Sequence, residues 1–328
     1  MHQMLKDAGI AIILGLLMPA VLLGLIVSHA ELPEALPPKT TATQQTEPPS
    51  ETAVSEAVQI SVLTSDGTVV WMDLTDYLTG VVLAEMPVSF EAEALKAQTV
   101  VARTYTIRAA NGASKHSDAA VCTTSSCCQS FITIEDFIRK GGSSGDVDRI
   151  RNYIAATDAQ VLTYGGKLIE ATYFSCSGGS TEDAVAVWGT DVPYLQAVES
   201  PGEEHAAHYE DSVTFSAEEL ASKLDISSTG EPSGWFGQTT YTEGGGVDTM
   251  SIGGQVFSGT ELRKKLGLRS TAFRVECTED SITIVTRGYG HRVGMSQYGA
   301  DAMAAGGSTY EEILAHYYQG TELTQYTD

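Results

Sequence analysis

The first pattern along the chain is an uncharged, mostly apolar run of twenty residues, Ala8 to Val27. As a helix it would rise about 30 Å, enough to cross a bilayer's hydrocarbon core. Lys6 precedes it, and Glu31 and Glu34 follow it. The positive-inside rule then leaves the N-terminus in the cytoplasm and sends the rest outside. Ser28-His29-Ala30 also offers small residues to a signal peptidase, but the apolar run is longer than a signal core, which favours a retained anchor over residues 1–30. Either way the bulk of the chain is exported. Residues 31–57 are rich in Pro, Thr, Gln and Glu and lack aromatics. Such a stretch buries too little surface to offset its ordering entropy and is expected to be a disordered tether.

Alternation begins at residue 58. Val58, Ile60 and Val62 alternate with polar residues, Asp66-Gly67 turns and Val69–Met72 returns, which predicts a β-hairpin. Val161–Tyr164, Gly165-Gly166 and Leu168–Phe174 predict a second, and Arg274–Cys277 with Ile282–Val285 a late strand pair. Leu78, Val81, Val82 and Glu85 fall on one helical face, with Thr75 as N-cap and Met86-Pro87 as the stop. The run EALKAQTVVARTYTIRAA is apolar almost all round and predicts a buried helix. Ser216 with Glu219, and Ser258 with Glu261, have capping-box spacing. Residues 225–257, rich in Gly, Ser and Thr, predict a lobe connection or a mobile loop. There is neither a fixed-period repeat nor regular βα alternation. The expected fold class is therefore α+β: mixed helices and β-hairpins over residues 58–328, in two lobes flanking a groove, after an N-terminal transmembrane helix.

Charge narrows the partner. The 328-residue chain carries a net charge of -23. Phosphates would be repelled, which argues against nucleic acid and suits a neutral or sugar ligand. Within the helical stripe, Glu85 stands where an apolar residue is expected. Partial burial and the negative end of the helix favour its protonated form, as a proton donor to a glycosidic oxygen requires, whereas nearby cations would act the other way. The bland alternative is a solvated helix end. Lys96 and Arg103, two turns apart on the buried helix, must be paired or face a groove. They would position substrate oxygens or balance Glu85, or form a plain structural ion pair. The five cysteines leave at least one unpaired within the chain. His116, Cys122 and Cys128, spaced six and six, suit zinc, and a disulfide through Cys122 is the alternative.

Four blocks carry a family resemblance in order: LAEMP with EALKAQTVVARTYTIRA, YFSCSGGSTEDAVAVWGTDVPYLQAVESP, FSGTELRKKLGLRSTAF, and GYGHRVGMSQYGADAMAAGGSTYEEILAHYYQGTEL. Together they resemble the stage II sporulation protein D family. The resemblance implies a membrane-anchored lytic transglycosylase on the extracytoplasmic side. It would cleave peptidoglycan between N-acetylmuramic acid and N-acetylglucosamine, leaving 1,6-anhydromuramic ends, during sporulation engulfment. The family's acid matches Glu85 and its helix cations match Lys96 and Arg103. A hydrolase would need a second carboxylate, and none is obvious in these blocks. The resemblance also implies zinc on His116, Cys122 and Cys128, with Cys127, water or a remote group as fourth ligand. Expected partners are stage II sporulation protein P, an amidase/endopeptidase, and stage II sporulation protein M. In the last block, glycines either bring backbone against a glycan, with Ser296, Gln297 and Tyr298 lining the groove, or serve tight packing. Arg292, where relatives often have Gly, is a substrate-contact candidate. Cys176 is expected as a packed thiol near the groove. Other readings are a non-enzymatic wall-binding module that stimulates an amidase, and a zinc hydrolase, for which the His-Glu-x-x-His motif is missing.

Overall fold

The computed structural model describes residues 58–227 and 230–327; the expected anchor and tether lie outside them. Among the described residues no helix is long and apolar enough to cross a membrane. Strands β1 (Gln59–Leu63) and β2 (Val69–Asp73) form the predicted antiparallel hairpin, with Ile60 and Val62 turned inward. Helix α1 (Leu74–Glu85) follows without a gap, so its N-cap is Asp73 rather than Thr75: the Asp73 carboxylate accepts the Thr75 N–H at 2.8 Å. Helix α2 (Ala92–Arg108) is buried on nearly every side, as its composition requires. Then come β3 (Val121–Cys122), parallel to β1, and helices α3 (Ile134–Arg139) and α4 (Ser144–Ala156).

The second predicted hairpin forms only in part. Strand β4 (Gln160–Tyr164) pairs with β5 (Lys167–Leu168), but pairing stops there, and Tyr173–Phe174 become a separate strand, β6. Strands β7 (Gly179–Ser180) and β8 (Glu199–Ser200) pair on either side of helix α5 (Ala184–Trp188).

A second hydrophobic core begins at β9 (Glu210–Ser216). The chain continues through α6 (Ala217–Leu224), β10 (Phe236–Tyr241), β11 (Val247–Ile252), β12 (Gln255–Ser258), α7 (Gly259–Leu266), β13 (Phe273–Cys277) and β14 (Ser281–Arg287). These strands make two small sheets, β13–β14–β9 and β10–β11–β12, around Phe215, Leu220, Met250, Leu262 and Ile282. Much of residues 225–257 is therefore sheet, not connection or mobile loop. Val247, Met250, Ile252 and Phe257 supply the inward side chains, and the intervening Gly, Ser and Thr conceal that signal. Ser216 makes the full capping box, whereas Ser258 caps only the Glu261 N–H.

After this insertion the chain returns to the first core with β15 (Met295–Ser296), α8 (Gln297–Ala305), α9 (Tyr310–Tyr317) and β16 (Glu322–Gln325). Strand β15 runs parallel to β6 and β16 pairs with β4. Met295, Ala300, Ile313 and Tyr317 share a core with Leu78, Val82 and Val100. That closure brings the last sequence block against the first.

Candidate functional site

A cleft of about 680 Å³ opens where α1, β6, the segment after β3 and the start of α8 converge. Glu85, the last residue of α1, lines it and is half-buried. One carboxyl oxygen accepts the Ser130 N–H at 2.5 Å, and the other faces the Gln297 side-chain amide, which donates at 3.5 Å. Gln297 lies 212 positions away in sequence. Tyr173 stands beside this carboxyl. Burial, reinforced by the Glu85 charge, pushes its phenol well above the ordinary tyrosine range, so it stays an O–H donor and gives its hydrogen to Gln129 at 3.2 Å. Gln129 in turn donates to the Thr106 hydroxyl at 3.0 Å from its amide nitrogen.

The other predicted residues divide. Ser296 is the buried N-cap of α8, accepting the Gly299 N–H at 3.2 Å. Tyr298 packs edge-on against Phe90 and His205. Lys96 pairs with Glu93 at 2.7 Å. Arg103 is buried, and its guanidinium donates to the carbonyls of Ile154 and Gln160 and to the Thr157 hydroxyl at 3.0–3.1 Å. Burial lowers its pKa to about 10. Neither cation lines the cleft with Glu85. Arg292 is 2% exposed and pairs with Glu182, so it does not meet a substrate. At Gly290 and Gly294, both with positive φ, a Cβ would collide with the Phe174 side chain and the Thr172 carbonyl respectively. These glycines serve close packing of the last block on β6.

The metal candidates do come together. His116, Cys122, Cys127 and Cys128 offer ligand atoms within 4.8 Å of one another. The His116 Nε2 lies 3.6 and 3.5 Å from the sulfurs of Cys127 and Cys128, which are 4.0 Å apart. A tetrahedral ion bound at ~2.3 Å to sulfur needs ligand atoms ~3.7 Å apart, so the group fits a metal. All five cysteines are free thiols. Burial raises the Cys127 thiol to about 11, reinforced by Cys122 and Cys128. Cys122 is lowered: burial opposes this, and the Thr124 backbone and the neighbouring thiols outweigh it. Crowded thiols of this kind ionise together only if a cation joins them. Cys127 and Cys128 also line the cleft, and two residues later the same segment presents the Ser130 N–H to Glu85.

Sequence reasoning passed over several lining residues: Tyr173, Glu170, Trp188 and His291. Three lie at or just before the second block and one in the last, but no period or spacing marks them. Glu170 is a second carboxylate in the cleft, turned toward Arg108 at 3.7 Å. Cys176 is buried, and its thiol donates to the Glu203 carboxylate at 3.0 Å.

His291 packs edge-on against Phe174 and at a tilt against Trp188, with centroids 5.6 and 5.5 Å away, and its Nδ1 accepts the Val293 N–H at 3.1 Å. Burial lowers its pKa from 6.5 to about 4; Arg263 and Lys115 act in the same direction, against the Tyr173 carbonyl. The unfolded chain takes up this proton below pH 6.5 and the folded chain does not until about pH 4. Stability should therefore fall as pH drops through that window, by roughly 2 kcal/mol for a half-buried ring. Urea melts at both ends of the window should show a smaller acid loss in His291→Asn; an equal loss would remove His291 as its source.

Residues 64–164 match the family described as stage II sporulation protein. The chain is 40% identical to stage II sporulation protein D of Bacillus amyloliquefaciens, over 80% of this chain and 77% of that protein. It is 37% identical to stage II sporulation protein D of Bacillus subtilis, over 84% and 82%. It is also 33% identical to an amidase enhancer of Bacillus subtilis, over 76% of this chain but only 40% of that protein.

Proposed function

We propose that this chain, which belongs to the stage II sporulation protein D family, is a peptidoglycan lytic transglycosylase acting in sporulation. The observation that carries this reading is the Glu85 carboxyl, held by Ser130 and Gln297 and facing the cleft. In its acid form Glu85 gives its proton to the oxygen leaving the muramic C1. As the muramic O6 closes on C1, the carboxylate takes the O6 proton, and one group completes the cycle. Ser130 and Gln297 fix the orientation of the carboxyl, and the Tyr173 phenol beside it stays neutral. The substrate is a glycan strand bared of stem peptides, the product an amidase such as stage II sporulation protein P would leave. With stage II sporulation protein M, that amidase is the partner we propose. The chain would be tethered by its N-terminal anchor and act outside the membrane.

Product analysis separates the readings. Denuded strands incubated with the protein should yield 1,6-anhydromuramic ends by mass spectrometry. Reducing ends, heavier by one water, would mean hydrolysis with Glu170 as the second carboxylate. Intact strands would favour a non-enzymatic module that stimulates an amidase.

We assign zinc to His116, Cys122, Cys127 and Cys128, a nitrogen and three sulfurs, the donor set of a closed structural site. Bound there, zinc would supply a cross-link, not a reacting centre. Through it the 116–128 segment would hold Ser130 against Glu85. Chelation under reducing conditions should lower Tm by more than about 5 °C. Unchanged melting of protein shown to be metal-free would refute a structural role.

A further inference from the structure

Trp188 is out of place for a core residue. It ends α5, whose following Gly189 is left-handed at φ 73°, and it lies 43% exposed on the wall of the Glu85 cleft. A large aromatic face kept in water within a concave site is a hallmark of ligand contact. Its mounting is rigid. The His291 ring backs it at 5.5 Å, and Phe174 backs His291 at 5.6 Å. His291 is itself pinned by the Val293 N–H. At the other end of α5, the Asp183 carboxylate accepts the Ala197 N–H at 2.7 Å. Tyr289, 39% exposed, lines the same cleft, held by paired backbone hydrogen bonds to Cys176 at 2.7 and 3.1 Å. Thr172, Ser175 and Glu170 add polar groups to the same lining.

We propose that Trp188, backed by His291 and Phe174, is a pyranose-stacking subsite for an N-acetylated hexosamine ring of the strand that Glu85 attacks. The axial C–H groups of a pyranose give one face of the sugar an apolar surface matched to an indole, while its hydroxyls and acetamido group need the polar rim. A purely apolar ligand would leave the polar groups of the cleft facing hydrocarbon. The proposal rests on the reading of this cleft as a glycan site, and its test separates the two.

The Glu85→Gln protein, full length, is titrated with chitotetraose and with denuded glycan strands, followed by tryptophan fluorescence and calorimetry. Of the three tryptophans, Trp235 is buried and Trp71 is exposed on β2, away from the cleft lining, so Trp71→Phe serves as control. Saccharide should perturb the fluorescence of the parent and of Trp71→Phe. Adding Trp188→Ala should abolish that signal and weaken binding about tenfold by calorimetry, with Trp188→Phe restoring most of the affinity but not the signal. In the Glu85-intact protein, Trp188→Ala should raise KM with kcat little changed. Equal saccharide affinity with and without Trp188, or no binding by the parent, overturns the subsite. Cleavage to anhydro ends with KM unmoved by Trp188→Ala would sink the subsite and spare the role of Glu85. Saccharide held by Trp188 while wild-type protein leaves strands intact would do the reverse.

Discussion

Glu85→Gln is expected to lower the formation of anhydro ends roughly a thousandfold and to leave the fold intact, the size typical of removing a positioned general acid. Glutamine has the same shape as glutamic acid. Its carbonyl oxygen can still accept the Ser130 N–H, and Gln297 can turn its amide to present an oxygen to the new NH2. What disappears is the proton that the leaving oxygen needs and the base that O6 needs. Product formation and Tm should therefore separate: activity falls and melting stays within about 2 °C. Glu85→Asp should recover little, because a carboxyl one methylene shorter cannot keep both contacts. Arg103 offers the contrast. Its guanidinium satisfies two buried carbonyls and a hydroxyl, so Arg103→Met should lower Tm and activity together. A Glu85→Gln protein that still makes anhydro ends at the wild-type rate would end the single-acid mechanism.

How much of this was legible depended on whether a residue's role follows from its near neighbours in sequence. The hairpin of β1 and β2, helices α1 and α2, and Glu85 at the end of an apolar stripe all follow from local periodicity. The candidate metal group is nearly legible, because its four side chains lie within residues 116–128. Only Cys127 was left open, since adjacent cysteines rarely both reach one ion without a turn such as that at Thr124, whose carbonyl accepts the N–H groups of Cys127 and Cys128. Lys96 is local too. Glu93 lies one turn before it on α2, at the spacing of a helical ion pair, and takes its charge. Gln297 was named from its block and does line the cleft, but its contact with Glu85, like the places of Tyr173 and Trp188, depends on long-range closure that no window of sequence contains. Within the insertion, β13 and β14 also follow from local alternation, whereas β10, β11 and β12 are threaded with Thr, Ser and Gly, which weakens their two-residue period.

Arg292→Met should cost about 3–5 kcal/mol, the usual penalty for breaking a buried ion pair from one side. Arg292 and Glu182 are both almost fully buried, and their charged atoms lie 2.9 Å apart. The guanidinium also donates to the carbonyls of Ser177, Ser180 and Gly244 at 2.7–2.8 Å. Gly244 lies in the turn between β10 and β11, so this one side chain ties the inserted core to the β6–β7 segment beside the cleft. Glu182 accepts the Gly246 N–H and the Thr242 hydroxyl with one oxygen, while its other oxygen is buried without a partner. Removing the cation would strand a carboxylate that is already underserved. For a domain of this size the loss corresponds to a Tm drop of about 10 °C. Arg292 also holds a left-handed backbone at φ 66°, which costs a side-chain-bearing residue about 1 kcal/mol. Adding Glu182→Gln to Arg292→Met should recover part of the loss, because the second change removes the stranded charge. Thermal melts of these variants test the whole account. Additive losses in the double variant would show that the two groups act independently, and Arg292 would then be no clamp.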